Sequence, residues 1–161
     1  MLLYHGSNVE VREPKLLNSK RALDFGQWFY LTSDYNQASK WAANITFRRQ
    51  CGSPIVSVFS FDFAKTENLK YLSFDKPNSE WLNFVASNRK KVYQGEIYDI
   101  VHGPVANDNT MPVINMYFSG FYDEDETVKR LLPQKLKDQF AFKTEQAINE
   151  LIFKEVILCT K

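Results

Sequence analysis

The order of the predicted segments limits the fold of this chain more than any other feature of its sequence. Strand-like and helix-like stretches follow one another without regular β–α alternation. The strand-like stretches are 2–5, 28–32, 55–63, 68–74, 98–106, 138–144 and 153–159, and the helix-like stretches are 33–47, 77–89, 123–132 and 145–151. The chain also lacks the G-x-G-x-x-G and Walker A loops that mark nucleotide-binding parallel sheets. The pattern therefore predicts a mixed α+β fold.

Length and composition predict one globular domain over residues 1–161. A chain of 161 residues can bury a real hydrophobic core. Hydrophobic residues make up 44% and charged residues 24% of the chain, which is ordinary for a globular protein. Aromatic residues reach 15%, and they are suited to a core or to the walls of a site for a flat ligand.

Charge, hydropathy and cysteine content narrow the class of protein further. A net charge of +1 without blocks of one sign argues against a protein that only binds nucleic acid, but it allows a nucleic acid as substrate. No apolar run approaches the roughly 20 residues that span a bilayer, and no signal peptide begins the chain, so we expect no membrane association and a cytoplasmic location. Cys51 and Cys159 lie far apart, which predicts neither a disulfide nor a zinc site.

Several residue types in the first quarter of the chain suit a binding site for a flat ligand. His5, Gly6 and Ser7 end the first strand, Tyr30 lies on the second, and Trp41 follows eleven residues later on a helix. Two aromatic faces can hold a heteroaromatic ring, a bare glycine lets backbone approach an amide, and a histidine can bind a sugar hydroxyl. By this pattern alone, core packing of the two aromatic residues and a structural histidine remain the more frequent outcome.

The motifs that surround these residues resemble those of known ADP-ribosyltransferases. "YHGS" followed by "FGQWFYLTSDYNQASKWA" is similar to the first two motifs of the poly(ADP-ribose) polymerase and diphtheria toxin branch. The similarity is closer to a bacterial family, domain of unknown function 3990, and covers roughly residues 2–153. Shared features include the "DFG…FYLT" stretch, a central "EW…F…NR" helix, "YDIV…GPVA" and a late "L…DQ…F…T" strand.

The resemblance implies a fold, an activity and a set of site residues. The implied fold is ADP-ribosyltransferase-like, with two small antiparallel sheets around an NAD cleft and flanking helices. The implied enzyme is an NAD-dependent mono-ADP-ribosyltransferase with NAD as co-substrate and no metal. His5 would bind a ribose hydroxyl, Gly6 the nicotinamide carboxamide, and Tyr30 and Trp41 the two faces of the nicotinamide ring. His5 and Tyr30 count as catalytic, and Ser7 joins the residues that contact NAD.

A late strand supplies the third catalytic residue that the resemblance implies, Gln139. Strand alternation places Phe140 and Phe142 on one face and Gln139 on the other, where it can face a cleft. Many active relatives have glutamate here, and a neutral amide makes a weaker hydrogen bond than a carboxylate, so we expect slower turnover and single transfer. Asp138 and Glu145 remain the alternative acids if the register differs by a few residues.

Trp28 is a second departure from the pattern of the resembled family. That position is usually small, and an indole beside Tyr30 would fill part of the nicotinamide subsite. A catalytically weak or inactive binding module of the same fold is therefore the alternative function, and an NAD glycohydrolase that uses water as acceptor is a third.

The sequence leaves the partners of such an enzyme open. A protein side chain, a DNA base and an RNA end all remain candidate acceptors, because the loops that choose the acceptor carry no readable code. Bacterial domains of this kind often act as toxins or effectors, so the resemblance implies a small antitoxin partner by analogy alone.

Overall fold

A computed structural model describes residues 1–16, 23–26 and 28–159. Within these residues the chain forms seven strands, five α-helices and a 3-10 turn at Phe63–Thr66. The strands are β1 (Leu2–Ser7), β2 (Phe29–Leu31), β3 (Ile55–Ser60), β4 (Tyr71–Ser73), β5 (Ile100–Pro104), β6 (Asp138–Phe142) and β7 (Ile152–Leu158). The helices are α1 (Tyr35–Arg49), α2 (Ser79–Arg89), α3 (Met111–Phe118), α4 (Glu124–Leu131) and α5 (Glu145–Asn149). The predicted mixed α+β class is confirmed.

The strands form two small sheets. The first has the order β1-β3-β7 and is antiparallel throughout, and the second has the order β2-β6-β5-β4. In the second sheet β4 and β5 run parallel, so the prediction of two antiparallel sheets is wrong there. β4 and β5 are parallel because the chain crosses from one strand to the other through α2. A crossover of this length lets the next strand run in the same direction.

Side-chain caps explain where the two long helices begin. The Asp34 carboxylate accepts a hydrogen bond of 2.8 Å from the backbone N–H of Gln37, so Asp34 is the N-cap of α1. The Asn78 side chain accepts one of 3.0 Å from the N–H of Trp81 at the start of α2. The predicted helix-like stretch 33–47 therefore begins two residues too early, since α1 starts at Tyr35.

The core is divided into layers by the second sheet. Phe140 and Phe142 on β6 pack between the two sheets with Leu3 and Phe59 from the first sheet. Ala141, between them in sequence, faces the opposite side and packs among residues of the helical layer. The predicted alternation along this strand is therefore confirmed, and it turns Gln139 to the same side as Ala141.

Helix α3 was not predicted from the sequence. Its residues are almost uniformly apolar, and no side-chain cap marks its start. Pro112 lies in the first turn, where the missing N–H costs no intrahelical hydrogen bond. Burial of Ile114 in the helical layer, rather than a local signal, accounts for the helix.

The two sheets are joined next to the candidate site by one β-bridge. The backbone N–H of Tyr4 donates to Thr32 O at 2.8 Å, and the N–H of Thr32 donates to Tyr4 O at 3.0 Å. In the described part of the chain this bridge is isolated and does not continue as a ladder between β1 and β2. None of the described helices is both long and apolar enough to cross a membrane.

Candidate functional site

A large cleft lies beside the bridge between β1 and β2. Its volume is about 1280 Å³. All seven residues that the sequence singled out line it: His5, Gly6, Ser7, Trp28, Tyr30, Trp41 and Gln139. They lie on β1, on β2 and the segment before it, on α1 and on β6, so the fold brings together residues up to 134 positions apart (139 − 5).

His5 is held in one tautomer by the neighbouring strand. Its Nδ1 atom lies 2.7 Å from the backbone carbonyl of Tyr30, and its ring stacks on Phe29 at a centroid distance of 4.4 Å. A carbonyl oxygen only accepts hydrogen bonds, so Nδ1 carries the proton. Burial lowers the pKa of His5. At neutral pH the ring is therefore neutral, and its Nε2 lone pair can accept a hydrogen bond from a ligand hydroxyl.

Gly6 lets α1 pack closely on β1, and it also presents its backbone N–H and C=O to the cleft. A Cβ atom on Gly6 would lie 2.0 Å from the carbonyl oxygen of Ala38 in α1, so this helix packs directly on the bare backbone. The N–H and the C=O of Tyr4 both form hydrogen bonds with Thr32. In a β-strand, every second residue directs its N–H and C=O to the same edge. The N–H and C=O of Gly6 therefore point to the edge of β1 that faces the cleft, where they match the two polar atoms of a carboxamide.

The Tyr30 hydroxyl is engaged by backbone atoms of the preceding segment. It donates to Gly26 O at 2.7 Å and accepts from the N–H of Phe25 at 3.2 Å. Burial, and then the charge of Asp24, raise the pKa of Tyr30 well above its usual value, so it stays protonated. Its ring is consequently a fixed wall of the cleft. Trp41 contributes a second, half-buried aromatic side chain from α1.

A buried polar network that the sequence reasoning missed holds Gln139. Asp24 is 3% exposed and Gln139 is 4% exposed. The Gln139 Nε2 atom donates to Asp24 Oδ2 at 2.9 Å, and the Arg89 guanidinium donates to Asp24 Oδ1 at 2.5 and 2.7 Å. Asp24 lies in an irregular stretch and Arg89 ends a helix, where a basic residue is ordinary. The nearest signal was the position of Asp24 directly before Phe25 in "DFG".

The two alternative acids lie outside the cleft. Asp138 accepts hydrogen bonds from Thr32 Oγ1 at 2.9 Å and Ser33 Oγ at 2.7 Å. Burial raises the pKa of Asp138, but hydrogen bonds from His102, Ser33 and Thr32 outweigh it and lower the pKa to about 2. Glu145 begins α5 and is exposed. Gln139 is therefore the residue of this segment that faces the cleft.

Trp28 lines the cleft and lies against a buried lysine. The Nζ atom of Lys143 is 5.0 Å from the centre of the Trp28 ring system, and Lys143 is 6% exposed. Burial lowers the pKa of Lys143 to about 8. The Trp28 Nε1–H is buried and has no hydrogen-bond partner among the described residues. Whether this indole takes the place of a nicotinamide ring stays a prediction.

Several basic side chains line the cleft. Arg12, Lys15, Arg48 and Arg49 line it together with Glu10 and Glu13. The Arg49 guanidinium donates to Asn8 Oδ1 at 2.9 Å, and Asn8 is itself buried. Arg12 is already paired with Glu10 at 2.9 Å, and the other cationic groups suit a ligand that carries phosphate groups.

The match to a protein family covers nearly the whole chain. No curated protein and no solved structure matches it. Residues 1–153 match the family described as "Protein of unknown function (DUF3990)", and this description states no activity. Because the match covers nearly the whole chain, from β1 to the first two residues of β7, the chain belongs to this family.

Proposed function

We propose that this protein is an NAD-dependent mono-ADP-ribosyltransferase that binds its co-substrate NAD in the cleft. One observation carries the proposal. Residues with the chemistry to bind a ribose hydroxyl, a carboxamide and an aromatic ring line the same cleft, although they lie on four separate parts of the chain. Such convergence of polar groups and aromatic walls is typical of a cofactor site.

The state of each side chain agrees with the role assigned to it. Neutral His5 offers its Nε2 lone pair to a ribose hydroxyl. Gly6 offers a peptide N–H and C=O to the carboxamide, and Tyr30 and Trp41 offer ring faces to nicotinamide. The cleft volume of about 1280 Å³ exceeds the roughly 300–1,000 Å³ usual for small-ligand pockets, which leaves room for part of an acceptor.

The proposed reaction is a displacement at the anomeric carbon of the nicotinamide ribose. NAD supplies a carbon whose bond to nicotinamide breaks, with both electrons passing to the positively charged pyridinium. An acceptor lone pair forms the new bond, and the acceptor's proton leaves to water. The chain's residues fix the geometry, and Gln139 Oε1 accepts a hydrogen bond from a ribose hydroxyl where positive charge develops.

Two observations favour a second candidate, an inactive binding module of the same architecture. Position 139 carries an amide rather than a carboxylate, and the Trp28 indole lies within the cleft lining. Such a module would bind NAD without converting it. An NAD glycohydrolase would need the same residues and would pass the ribose to water.

Labelled NAD distinguishes these functions. The protein is incubated with isotopically labelled NAD and a bacterial lysate, and label is counted in protein, RNA, DNA and small-molecule fractions. We expect label in one macromolecular fraction, and its loss in His5→Ala but not in His102→Ala, a histidine outside the cleft. Free ADP-ribose alone would indicate the glycohydrolase.

Absence of any conversion would contradict the transferase proposal for the wild-type chain. Trp28→Gly is the follow-up variant. Conversion by this variant alone would mean that the indole blocks an otherwise competent cleft.

A further inference from the structure

Asp24 is fully engaged by hydrogen-bond donors in the wall of the cleft. Its Oδ1 accepts from Nε and a terminal nitrogen of Arg89 at 2.7 and 2.5 Å. Its Oδ2 accepts from the backbone N–H of Ala106 at 2.8 Å and from Gln139 Nε2 at 2.9 Å. The Asp24 carboxylate is 3% exposed and forms an ion pair with the Arg89 guanidinium, so each buried charge has an opposite partner.

This contact fixes the direction of the Gln139 amide. An ionised carboxylate only accepts hydrogen bonds, so the NH₂ group must face Asp24. The carbonyl oxygen Oε1 then points away from Asp24, and Gln139 lines the cleft. Among the described residues no donor is bonded to Oε1. It is therefore an acceptor with a fixed direction.

We propose that Asp24 is a positioning residue that orients Gln139 so that Oε1 accepts a hydrogen bond from a hydroxyl of the bound ligand, with Arg89 holding Asp24 in turn. The identity of that hydroxyl as a ribose hydroxyl rests on the proposed function. The anionic charge lies on Asp24, one hydrogen bond behind the amide, and polarises it toward a stronger acceptor.

The same arrangement explains why position 139 carries an amide. A glutamate there would place a second carboxylate within hydrogen-bond distance of Asp24, and one guanidinium can neutralise only one of them. Their repulsion would be relieved only where one of the two takes up a proton. Among the other titratable groups, Tyr30 feels the charge of Asp24, and the cleft is also lined by His5, Glu10, Glu13 and several basic side chains.

A charge-exchange experiment tests the proposal. The dissociation constant for NAD is measured by calorimetry for wild type, Asp24→Asn, Gln139→Glu and the double variant. Each single change is expected to weaken binding about tenfold, the usual cost of a lost charge-assisted hydrogen bond. The double variant restores one carboxylate and one amide and should bind within about threefold of wild type. Glu145→Gln, which removes an exposed carboxylate outside the cleft, is the matched control.

The pH dependence separates positioning from a general structural role. Binding to Gln139→Glu should be stronger at acidic than at neutral pH, because protonation of one carboxyl of the pair removes the repulsion between them. Wild type retains the same His5 and Tyr30 and should not show this increase. Unchanged NAD binding by folded Asp24→Asn, or a double variant as weak as Gln139→Glu, would overturn the proposal.

A ligand-free measurement keeps the two proposals distinguishable. In wild type the side-chain amide protons of Gln139 should exchange slowly with solvent by NMR, and in Asp24→Asn they should exchange quickly. Fast exchange in wild type would overturn the positioning role. Failure of wild type to bind NAD, with slow amide exchange, would overturn the proposed function and leave the positioning role supported.

Discussion

Gly6→Ala is the substitution whose cost follows most directly from the structure. The added Cβ would lie 2.0 Å from Ala38 O and 2.9 Å from the backbone nitrogen of Ala42. Ordinary contacts between such atoms are about 3.5 Å, so α1 would have to move away from β1 by more than about 1 Å. Both neighbours are backbone atoms of a 15-residue helix, and no side-chain rotation can relieve the clash.

The loss of stability from this clash can be compared with the loss known for overpacked protein cores. Overpacked sites lose about 1–3 kcal/mol, and a backbone clash lies at the upper end, so we expect about 3 kcal/mol. For a chain of this size each kcal/mol lowers Tm by about 2–4 °C, which gives a fall of about 6–12 °C in thermal unfolding followed by circular dichroism.

Gly95→Ala is the matched control for this experiment. Its Cβ would meet only side-chain atoms of Tyr93, the hydroxyl at 2.5 Å and two ring carbons at 2.7 and 2.9 Å, so a shift of that ring can relieve the clash at the cost of its hydrogen bond to Glu96 O. The Tm of this variant should fall by less than half as much as that of Gly6→Ala. Equal Tm values for the two variants would refute the inference that α1 packs on the bare backbone of β1.

Three further predictions concern groups in or near the cleft. Tyr30→Phe removes the hydroxyl bound to Gly26 and Phe25 and should cost about 1–2 kcal/mol in urea unfolding, whereas an unchanged midpoint would contradict these contacts. Hydrogen bonds lower the pKa of Asp138 in the folded protein to about 2, from its usual 3.8. Asp138 therefore stabilises the fold above about pH 4, and this stabilisation is lost as the pH falls through 2. The free energy of unfolding of Asp138→Asn should be about 2 kcal/mol lower than that of wild type at neutral pH and equal to it in acid. Burial lowers the pKa of Lys143 in the folded protein to about 8. The stability of wild type should therefore rise between about pH 8 and 10.5, where the unfolded chain binds more protons than the folded one. Lys143→Met should abolish this rise, and its free energy of unfolding should be about 2 kcal/mol higher than that of wild type at pH 7.

Local patterns predicted most of the strands and helices because the relevant signals are short-range. The Asp34 and Asn78 caps and the alternation of Phe140 and Phe142 are readable within a few residues. Helix α3 escaped prediction because its almost uniformly apolar residues show neither a helical stripe nor a capping side chain. The parallel pairing of β4 and β5 depends on how the chain crosses the sheet, which residue alternation does not encode.

The residues of the candidate site also fall into two groups, those that short motifs predicted and those that depend on long-range packing. His5, Gly6, Tyr30 and Trp41 were found because they stand in short motifs, and the fold places them in one cleft. Asp24 was missed because its partners are 65 and 115 residues away in the sequence. Only the packing of α2 and β6 against the segment before β2 creates that network. The role of Gly6 in helix packing was likewise invisible before the position of α1 was known.

Calorimetric titration of wild type with NAD and with ADP-ribose tests the central claim most directly, because only NAD carries nicotinamide. If Tyr30, Trp41 and Gly6 form a nicotinamide site, NAD should bind about tenfold more tightly than ADP-ribose, a difference that corresponds to one stacked ring and one carboxamide. Trp41→Ala should reduce this preference. Equal affinities for the two ligands, or no binding of NAD, would contradict the assignment of this cleft to NAD.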